Sequence, residues 1–388
     1  MKVKLVTTYP PTNCGIAEHS KYLVSALKNA GIEPEIVDIK NPNSSNPFYF
    51  IGLAMETVKN TTKEDVIHIE FHLSLFGKFL KYFSGVYIII FLIWLKLFSN
   101  AKIVITMHDS LTKEDAKRLG LKGMVFYYYY QIIAPFLKHL SNKMIFHSEF
   151  GKKIAVKGWN FNSDKIEVIP LGSPSNIKIL NHQASKKKLG YSNKKILTVL
   201  GYIKEARDYG LIVESLKYLD KNIILLIAGD TQLEKHKIIR DNIAKKAKQL
   251  GLTDRLELLG FVKYEDLPEL LSATDIGIIP YSRSFGDFTS AATAIQLAYQ
   301  VPLLTTDLPP FEDFKERKKC IETYENGNVK DLVKKINDLL KNKSKINSLK
   351  KQSKLYWEDT NWDSIGRKTK SFYLSLFKKI NIKNDKKV

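Results

Sequence analysis

The stretch 201–230, GYIKEARDYGLIVESLKYLDKNIILLIAGD, decides the reading of this chain. An apolar strand, Ile196–Leu200, runs into Gly201. A loop carrying Lys204 and Arg207 follows, then a helical segment, and a second apolar strand, Ile223–Ala228, ends in Gly229 and Asp230. This spacing describes a βαβ unit whose first loop places two cations at the carboxyl end of a strand, where open α/β sheets bind ligands. A helix starting after the loop aims unsatisfied N–H groups at the same spot, so an anion is the expected guest. The competing reading is an ordinary surface helix start with two solvated cations.

The same alternation extends in both directions. Before the quoted stretch, Val3–Thr7, Pro34–Ile39, Asp65–Ile69, Lys102–Thr106, Lys143–Phe146 and Lys165–Ile169 read as short buried strands, with a helix over Ile16–Asn29. After it, strands are expected near 256–259, 276–279 and 302–305. Beyond Glu312 the pattern gives way to helices and a basic segment carrying Trp357 and Trp362. Such alternation implies parallel sheets with right-handed crossovers. Turn residues at 170–174 and a lysine-rich connector over 185–195 separate the two series. The expected fold is therefore α/β, with two Rossmann-like domains at 1–175 and 176–355 facing a shared cleft, and a helical basic segment at 356–388.

Composition narrows the function classes. A chain of 388 residues exceeds one ordinary core. Its 44% hydrophobic and 26% charged residues describe a soluble globular protein. Cys14 and Cys320 supply neither a disulfide framework nor metal-ligand spacing. The amino-terminal residues read as a first strand rather than a secretory signal, so a cytoplasmic setting is expected. The longest apolar run, Val86–Leu95, is shorter than the ~20 residues of a spanning helix and is expected to be a core helix.

The formal charge of +21 is the strongest global signal. Residues 341–388 hold 14 Lys/Arg and 4 Asp/Glu, a net +10, and Lys78, Lys81 and Lys96 flank the apolar run. No zinc-finger spacing or aromatic-interleaved RNA motif accompanies this charge, so nucleic acid is not the expected partner. An anionic membrane surface or a phosphate-bearing lipid fits apolar and basic residues side by side.

Six strings fall at strand ends in chain order. The first is Tyr9-Pro-Pro-Thr-Asn-Cys-Gly-Ile-Ala-Glu-His-Ser20, where Gly15 and Ile16 open a helix. The second runs from Val66 to Gly77, with Glu70 and His72 expected at or beyond the strand end and His68 expected to be a core residue. The third, Ile103–Asp109, is a buried strand ending in His108-Asp109, and Phe146-His-Ser148 precedes Ile166–Gly172. The fifth is the loop of Gly201, Lys204 and Arg207. The sixth, Tyr281 to Glu312, includes Asp287, Ser290, Pro302, Asp307, Pro309 and Phe311.

Taken together these strings resemble glycosyltransferase family four, over roughly residues 3–315. The resemblance implies a GT-B architecture and a retaining transfer of a hexose from a nucleotide-diphosphate sugar, the co-substrate, to a hydroxyl acceptor on a lipid-linked or other envelope glycan. It implies donor contacts at Gly15, Ile16, Gly201, Asp287, Ser290 and Glu312, acceptor-side positions at Glu70, His72 and Ser148, and catalytic roles for His108, Lys204 and Arg207. Arginine at 207 stands where the family most often has lysine and keeps the phosphate-matching charge. Asp208 replaces a glycine. The paired-glutamate motif is missing, with Asp287 and Ile295 at its two positions. Ser290 and the 302–312 segment match a branch with a different string, and Ala291 replaces one of its glycines. The chain contains no Asp-x-Asp, so no obligatory metal or other cofactor is expected. These departures keep open a second reading, a sugar-nucleotide-binding subunit with impaired catalysis.

Overall fold

The computed structural model describes residues 1–12, 14–79, 83–231, 236–282 and 290–378. Lys81, Asp287 and the last ten residues of the basic tail lie outside the described residues.

The first series of elements is Val3–Thr7 (β1), Gly15–Asn29 (α1), Pro34–Asp38 (β2), Pro47–Val58 (α2) and Val66–Phe71 (β3). A small hairpin, Lys78–Phe79 (β4) and Phe83–Ser84 (β5), precedes Ile88–Phe98 (α3) and Lys102–Met107 (β6). Lys113–Arg118 (α4), Gly120–Leu140 (α5), Lys143–Phe146 (β7), Glu149–Gly158 (α6) and Ile166–Val168 (β8) complete it. The second series opens with His182–Lys188 (α7), Lys195–Leu200 (β9), Tyr209–Ser215 (α8), Ile223–Ala228 (β10) and Lys237–Gln249 (α9). It continues through Leu256–Gly260 (β11), Leu267–Ala273 (α10), Ile276–Ile279 (β12), Ala291–Ala298 (α11), Leu303–Thr306 (β13), Glu312–Glu316 (α12) and Ile321–Tyr324 (β14). Val329–Lys341 (α13), Lys343–Thr360 (α14) and Trp362–Ser375 (α15) close the chain.

These elements form two units, residues 1–170 with 362–388, and residues 171–361. Unit 1 holds a six-stranded sheet in the order β2-β1-β3-β6-β7-β8, and unit 2 one in the order β11-β10-β9-β12-β13-β14. All pairings within both sheets are parallel. In unit 2 the order is that of a doubly wound dinucleotide fold, with the reversal between β9 and β12; in unit 1 it falls between β1 and β3. Strand β14 was not expected from the sequence. It is only four residues long at the sheet edge, and its IETY string is too short to register as a period.

Alternate side chains of each strand enter opposite layers, as a sheet covered on both faces requires. In unit 1, Val6, Ile67, Ile69, Ile103 and Ile105 pack with Phe50, Phe91 and Leu95 of α2 and α3. Val3, Leu5, Val66, Val104 and Ile145 pack on the other face with α1 and α15. The apolar run of the sequence is α3, with Ile88, Phe91, Leu92 and Leu95 in the core and Ile93, Leu97 and Phe98 exposed. No helix among the described residues is long and apolar enough to cross a membrane. Unit 2 repeats the two-layer arrangement, with Leu197, Val199, Leu225 and Ile227 in one layer and Ile196, Ile224, Leu226 and Ile279 in the other.

Helix α15 lies against α1, and Gly366 faces the Ala26 backbone at close range. A Cβ there would stand 2.2 Å from the Ala26 carbonyl oxygen and 2.6 Å from its carbon. Backbone cannot yield as a flexible side chain can. Gly366→Leu is therefore expected to lift α15 from α1 and destabilise the protein by ~1–3 kcal/mol or more. Denaturant unfolding followed by Trp362 fluorescence measures this, and an unchanged midpoint would contradict the packing.

Candidate functional site

In unit 2 the site is built where β9 and β12 diverge. Strand β9 delivers the chain to Gly201, whose φ of +104° is open to glycine and strained for other residues. The 203–208 loop then folds onto the exit of β12. The Asp208 N–H donates to the Pro280 carbonyl at 2.7 Å and the Ser282 N–H to the Ala206 carbonyl at 2.9 Å. Arg207 is 6% exposed, which removes the reading of a solvated surface cation. Its Nη1 donates to the carbonyls of Leu200 at 2.7 Å and Gly201 at 3.3 Å. Its Cζ sits 5.4 Å from the centroid of the Tyr281 ring, and Lys204 Nζ 5.2 Å from the same ring. Two cations thus gather on one aromatic residue at the carboxyl edge of the sheet.

Tyr281 records their field. Burial opposes ionisation of its phenol, yet Arg207 and Lys204, with a hydrogen bond from Ser290, outweigh it and bring the group down to about 8. Tyrosine at 281 was not among the expected site residues; its signal was its place directly after Pro280, at the end of β12.

Asp208 serves the backbone. It caps α8, its Oδ1 accepting from the Leu211 N–H at 2.9 Å, so the helix start presents a carboxylate where free N–H groups were expected. Ser290 caps α11 and accepts from the Thr293 N–H at 3.4 Å. Glu312 stands exposed at the start of α12. Ile295 packs against the unit 2 core, so no carboxylate occupies that position.

In unit 1 the register of β3 and β6 does the positioning. Val66 pairs with Lys102 and Phe71 with Met107, and the His108 N–H continues the ladder to the Phe71 carbonyl at 3.0 Å. Met107 pairs with Phe146 on the other side, so His108 and His147 follow one paired position in neighbouring strands. Period-two alternation puts His68, Glu70, Thr106 and His108 on one face, under α1 and α15.

Glu70 is fully buried within β3 rather than at the strand end as expected. Its Oε2 accepts from His108 Nε2 at 2.5 Å and lies 3.9 Å from His19 Nε2. His68 is a satisfied core histidine, with Nδ1 2.6 Å from the Tyr373 hydroxyl and Nε2 2.6 Å from that of Thr106. His19, His108 and His147 form a triangle with ring centroids 5.0, 5.3 and 5.1 Å apart. Burial keeps all three imidazoles uncharged near neutrality, lowering His108 to about 3, His147 to about 4 and His19 well below its ordinary value.

His72 lies outside this cluster. It is partly exposed, caps a short 3₁₀ turn through Ser74, and faces Asp109 at 3.4 Å. Ser148 caps α6, accepting from the Gly151 N–H at 2.9 Å. Gly15 opens α1 after the Cys14 cap, and nothing lies within 4 Å of where its Cβ would be; Ile16 packs on the core. His19 and His147 were quoted in the sequence strings but given no role. Their signal was a histidine immediately after a strand, or one turn into the first helix.

Comparison with known proteins fits this geometry. Residues 181–356, most of unit 2, match the family model described as Glycosyl transferases group 1. Mannosylfructose-phosphate synthase of Agrobacterium fabrum is 23% identical over 135 residues, 32% of this chain and 30% of that relative. The match therefore spans less than a third of the curated relative's length. Among solved structures, Anabaena HepE superposes with a TM-score of 0.76 at 13% identity, covering 97% of this chain and 100% of that one. A glycosyltransferase from Rickettsia africae gives 0.73 at 17% identity, with coverages of 97% and 99%. Sucrose-phosphate synthase from Thermosynechococcus elongatus gives 0.73 at 14% identity, with the same coverages. The fold is GT-B.

The cation pair makes Tyr281 a titration reporter. Its folded-state value of about 8 lies below the ordinary 10. The linked stability is therefore present above pH 10 and lost as pH falls through about 8. Ultraviolet titration of tyrosinate is expected to show one group ionising near 8. That group should vanish in Tyr281→Phe and move upward in Lys204→Ala. An unchanged titration in Tyr281→Phe would contradict the assignment.

Proposed function

We propose that this protein is a retaining glycosyltransferase that moves a hexose from a nucleoside-diphosphate sugar to a hydroxyl of a membrane-held glycan or lipid-linked acceptor. The observation that carries the reading is the pair Lys204 and Arg207 gathered on Tyr281 at the switch point of unit 2. Two cations at a carboxyl-edge loop suit a diphosphate. HepE has been solved with UDP and with UDP-glucose, which supports uridine diphosphate as the nucleotide to test first.

In the transfer, the bond from the anomeric carbon to the diphosphate breaks and its electron pair leaves on the diphosphate. The acceptor oxygen bonds to the same carbon from the same face, and its proton passes to a diphosphate oxygen. Negative charge grows on the leaving group, where Lys204 and Arg207 favour it by fixed electrostatics. Gly15, Gly201 and Ser290 are assigned to the donor. His108 is assigned to the transferred sugar, with Glu70 holding its ring, and His72 and Ser148 to the acceptor side. A binding subunit with impaired catalysis is the second reading, favoured by Ile295 packing where the family usually has glutamate. Turnover of a radiolabelled donor separates the two.

Arg207→Ala is expected to lower kcat/KM by ~10²–10³. It also removes two hydrogen bonds to carbonyls, so the melting temperature will fall as well. Arg207→Lys should keep a substantial part of both. Isothermal titration with UDP distinguishes the roles: folded Arg207→Ala protein that binds UDP as the wild type does would remove Arg207 from the donor site.

The membrane-held acceptor rests on α5. Leu121, Val125, Tyr128, Ile132 and Phe136 are all exposed, at spacings of four, three, four and four, an apolar stripe along a 21-residue helix. Leu97 and Phe98 of α3, which packs beside α5, are also exposed. Lys96, Lys113, Lys117 and Arg118 stand near this surface or just before it in the chain, all exposed. A stripe of this kind with cations at its edge suits an anionic lipid surface, each lysine adding ~1 kcal/mol. Flotation with anionic liposomes is expected at low salt and should weaken at high salt, where charges are screened. Leu121→Asp with Ile132→Asp should abolish it without lowering the melting temperature. Recovery in the soluble fraction under every condition would make a soluble acceptor the better reading.

A further inference from the structure

We infer that His19, His108 and His147 form a binding site in unit 1 for one divalent transition-metal ion of the zinc, cobalt and nickel class, with the Glu70 carboxylate beside it. One ring nitrogen from each histidine lies within 4.8 Å of the corresponding nitrogens of the other two. An ion held at ~2.0–2.1 Å from each requires nitrogens roughly 3.3 Å apart. Starting from the 4.8 Å upper bound, each ring needs to move by less than about 1 Å, within reach of side-chain rotation.

Partners that a buried polar atom would ordinarily have are missing here. His19 Nδ1, His147 Nε2 and Glu70 Oε1 are buried without a hydrogen bond among the described residues, whereas the great majority of buried side-chain polar atoms are paired. The rings are also oriented as ligands usually are. The His147 Nδ1–H donates to the Ile169 carbonyl at 3.0 Å, which leaves the Nε2 lone pair without a hydrogen bond among the described residues. Outer partners of this kind, a backbone carbonyl or a carboxylate, are what fix metal-binding imidazoles. Glu70 Oε2 lies 2.5 Å from His108 Nε2 and 3.9 Å from His19 Nε2, so one negative group serves two of the three rings. The Trp362 ring packs 5.3 Å from that of His19 and walls the site.

The chemistry selects the ion. Three imidazoles suit zinc, cobalt, nickel or copper, whereas magnesium and calcium prefer oxygen ligands. Three protein nitrogens leave a further coordination position for an oxygen ligand. The site differs in kind from an Asp-x-Asp diphosphate clamp, and it belongs to unit 1 alone. It meets the transferase reading at His108 and its partner Glu70, and an ion would hold the His108 ring in place.

The test reads binding rather than turnover, so it fails or succeeds independently of the glycosyltransferase assignment. Metal-stripped full-length protein is titrated with cobalt chloride and followed by visible absorption. The expected result is stoichiometric uptake with the intense bands of a low-coordinate cobalt ion, displaced by zinc, together with a higher melting temperature in zinc. His19→Gln and His147→Gln should each lose the bands, Glu70→Gln should weaken uptake about tenfold or more, and His182→Gln in unit 2 should retain it. Should the cluster variants fail to fold, the wild-type arm still decides through cobalt-induced broadening of histidine ring resonances and quenching that disappears in Trp362→Phe. No cobalt bands and no zinc-dependent melting shift in the wild type would overturn the site. So would uptake that survives both His19→Gln and His147→Gln in folded protein.

Discussion

In a parallel sheet every strand must be followed by a crossover that returns the chain to the same edge. All pairings in the two six-stranded sheets are parallel, so the loops leaving the carboxyl ends collect along one edge of each. Where the strand order reverses, adjacent loops diverge and leave room for side chains to converge. The reversal gathers Gly201, Arg207 and Tyr281 in unit 2, and the shared carboxyl edge alone brings His108 and His147 together after the neighbouring strands β6 and β7 of unit 1. The two core layers of each unit hold the strands in register, and the register in turn aims the side chains at the edge.

Electrostatics then separates the two units. In unit 2 a guanidinium is taken almost out of water, which is costly unless it is hydrogen-bonded and favourably placed. Two carbonyls at the end of β9 satisfy one of its nitrogens, and the Tyr281 ring faces its plane. The bend at Gly201 permits this, because a Cβ there would stand 3.0 Å from Arg207 Nη2 and 3.1 Å from the Ala292 Cβ. Asp208 follows from the same geometry: with the backbone turned to place Arg207, the next residue sits at a helix cap, where aspartate is favoured and glycine contributes less.

The βαβ rhythm was legible in the sequence because its strands are apolar runs bounded by glycine, proline and charged residues. The loop at 201–208 was legible because a buried strand running into glycine and then paired cations is the pattern of a carboxyl-edge anion site. Edge strand β14 was not, being too short to show a period. Glu70 was misplaced for a physical reason. In a string such as Val66–Phe71 a polar residue suggests the strand has ended, yet here the sheet continues through it and His108 offsets the cost of burying the carboxylate. His19 and His147 could not be assigned from one sequence, since their significance lies in a triangle that only the register and the covering helix create. The α5 stripe was hidden for a different reason: a run of aromatic residues reads as core until the fold shows which face has no neighbour.

The contrast between the units bears on how a transfer would be divided. Unit 2 presents concentrated positive charge, strong enough to draw a phenol down toward neutrality; under the proposed transfer that charge would favour a ligand whose own negative charge grows during reaction. Unit 1 presents imidazoles that burial holds uncharged, grouped around one carboxylate. Such a surface gives an anion no net attraction, yet it offers lone pairs and N–H groups at fixed positions. Those are the contacts that orient neutral hydroxyls, or that hold a metal ion through nitrogen. Either use requires rigid rings, and the buried hydrogen bonds of His68, His108 and His147 to Tyr373, Thr106, Glu70 and the Ile169 carbonyl supply that rigidity. Because Tyr373 lies on α15, the last helix does more than cover α1: it helps to set the geometry of the histidine floor.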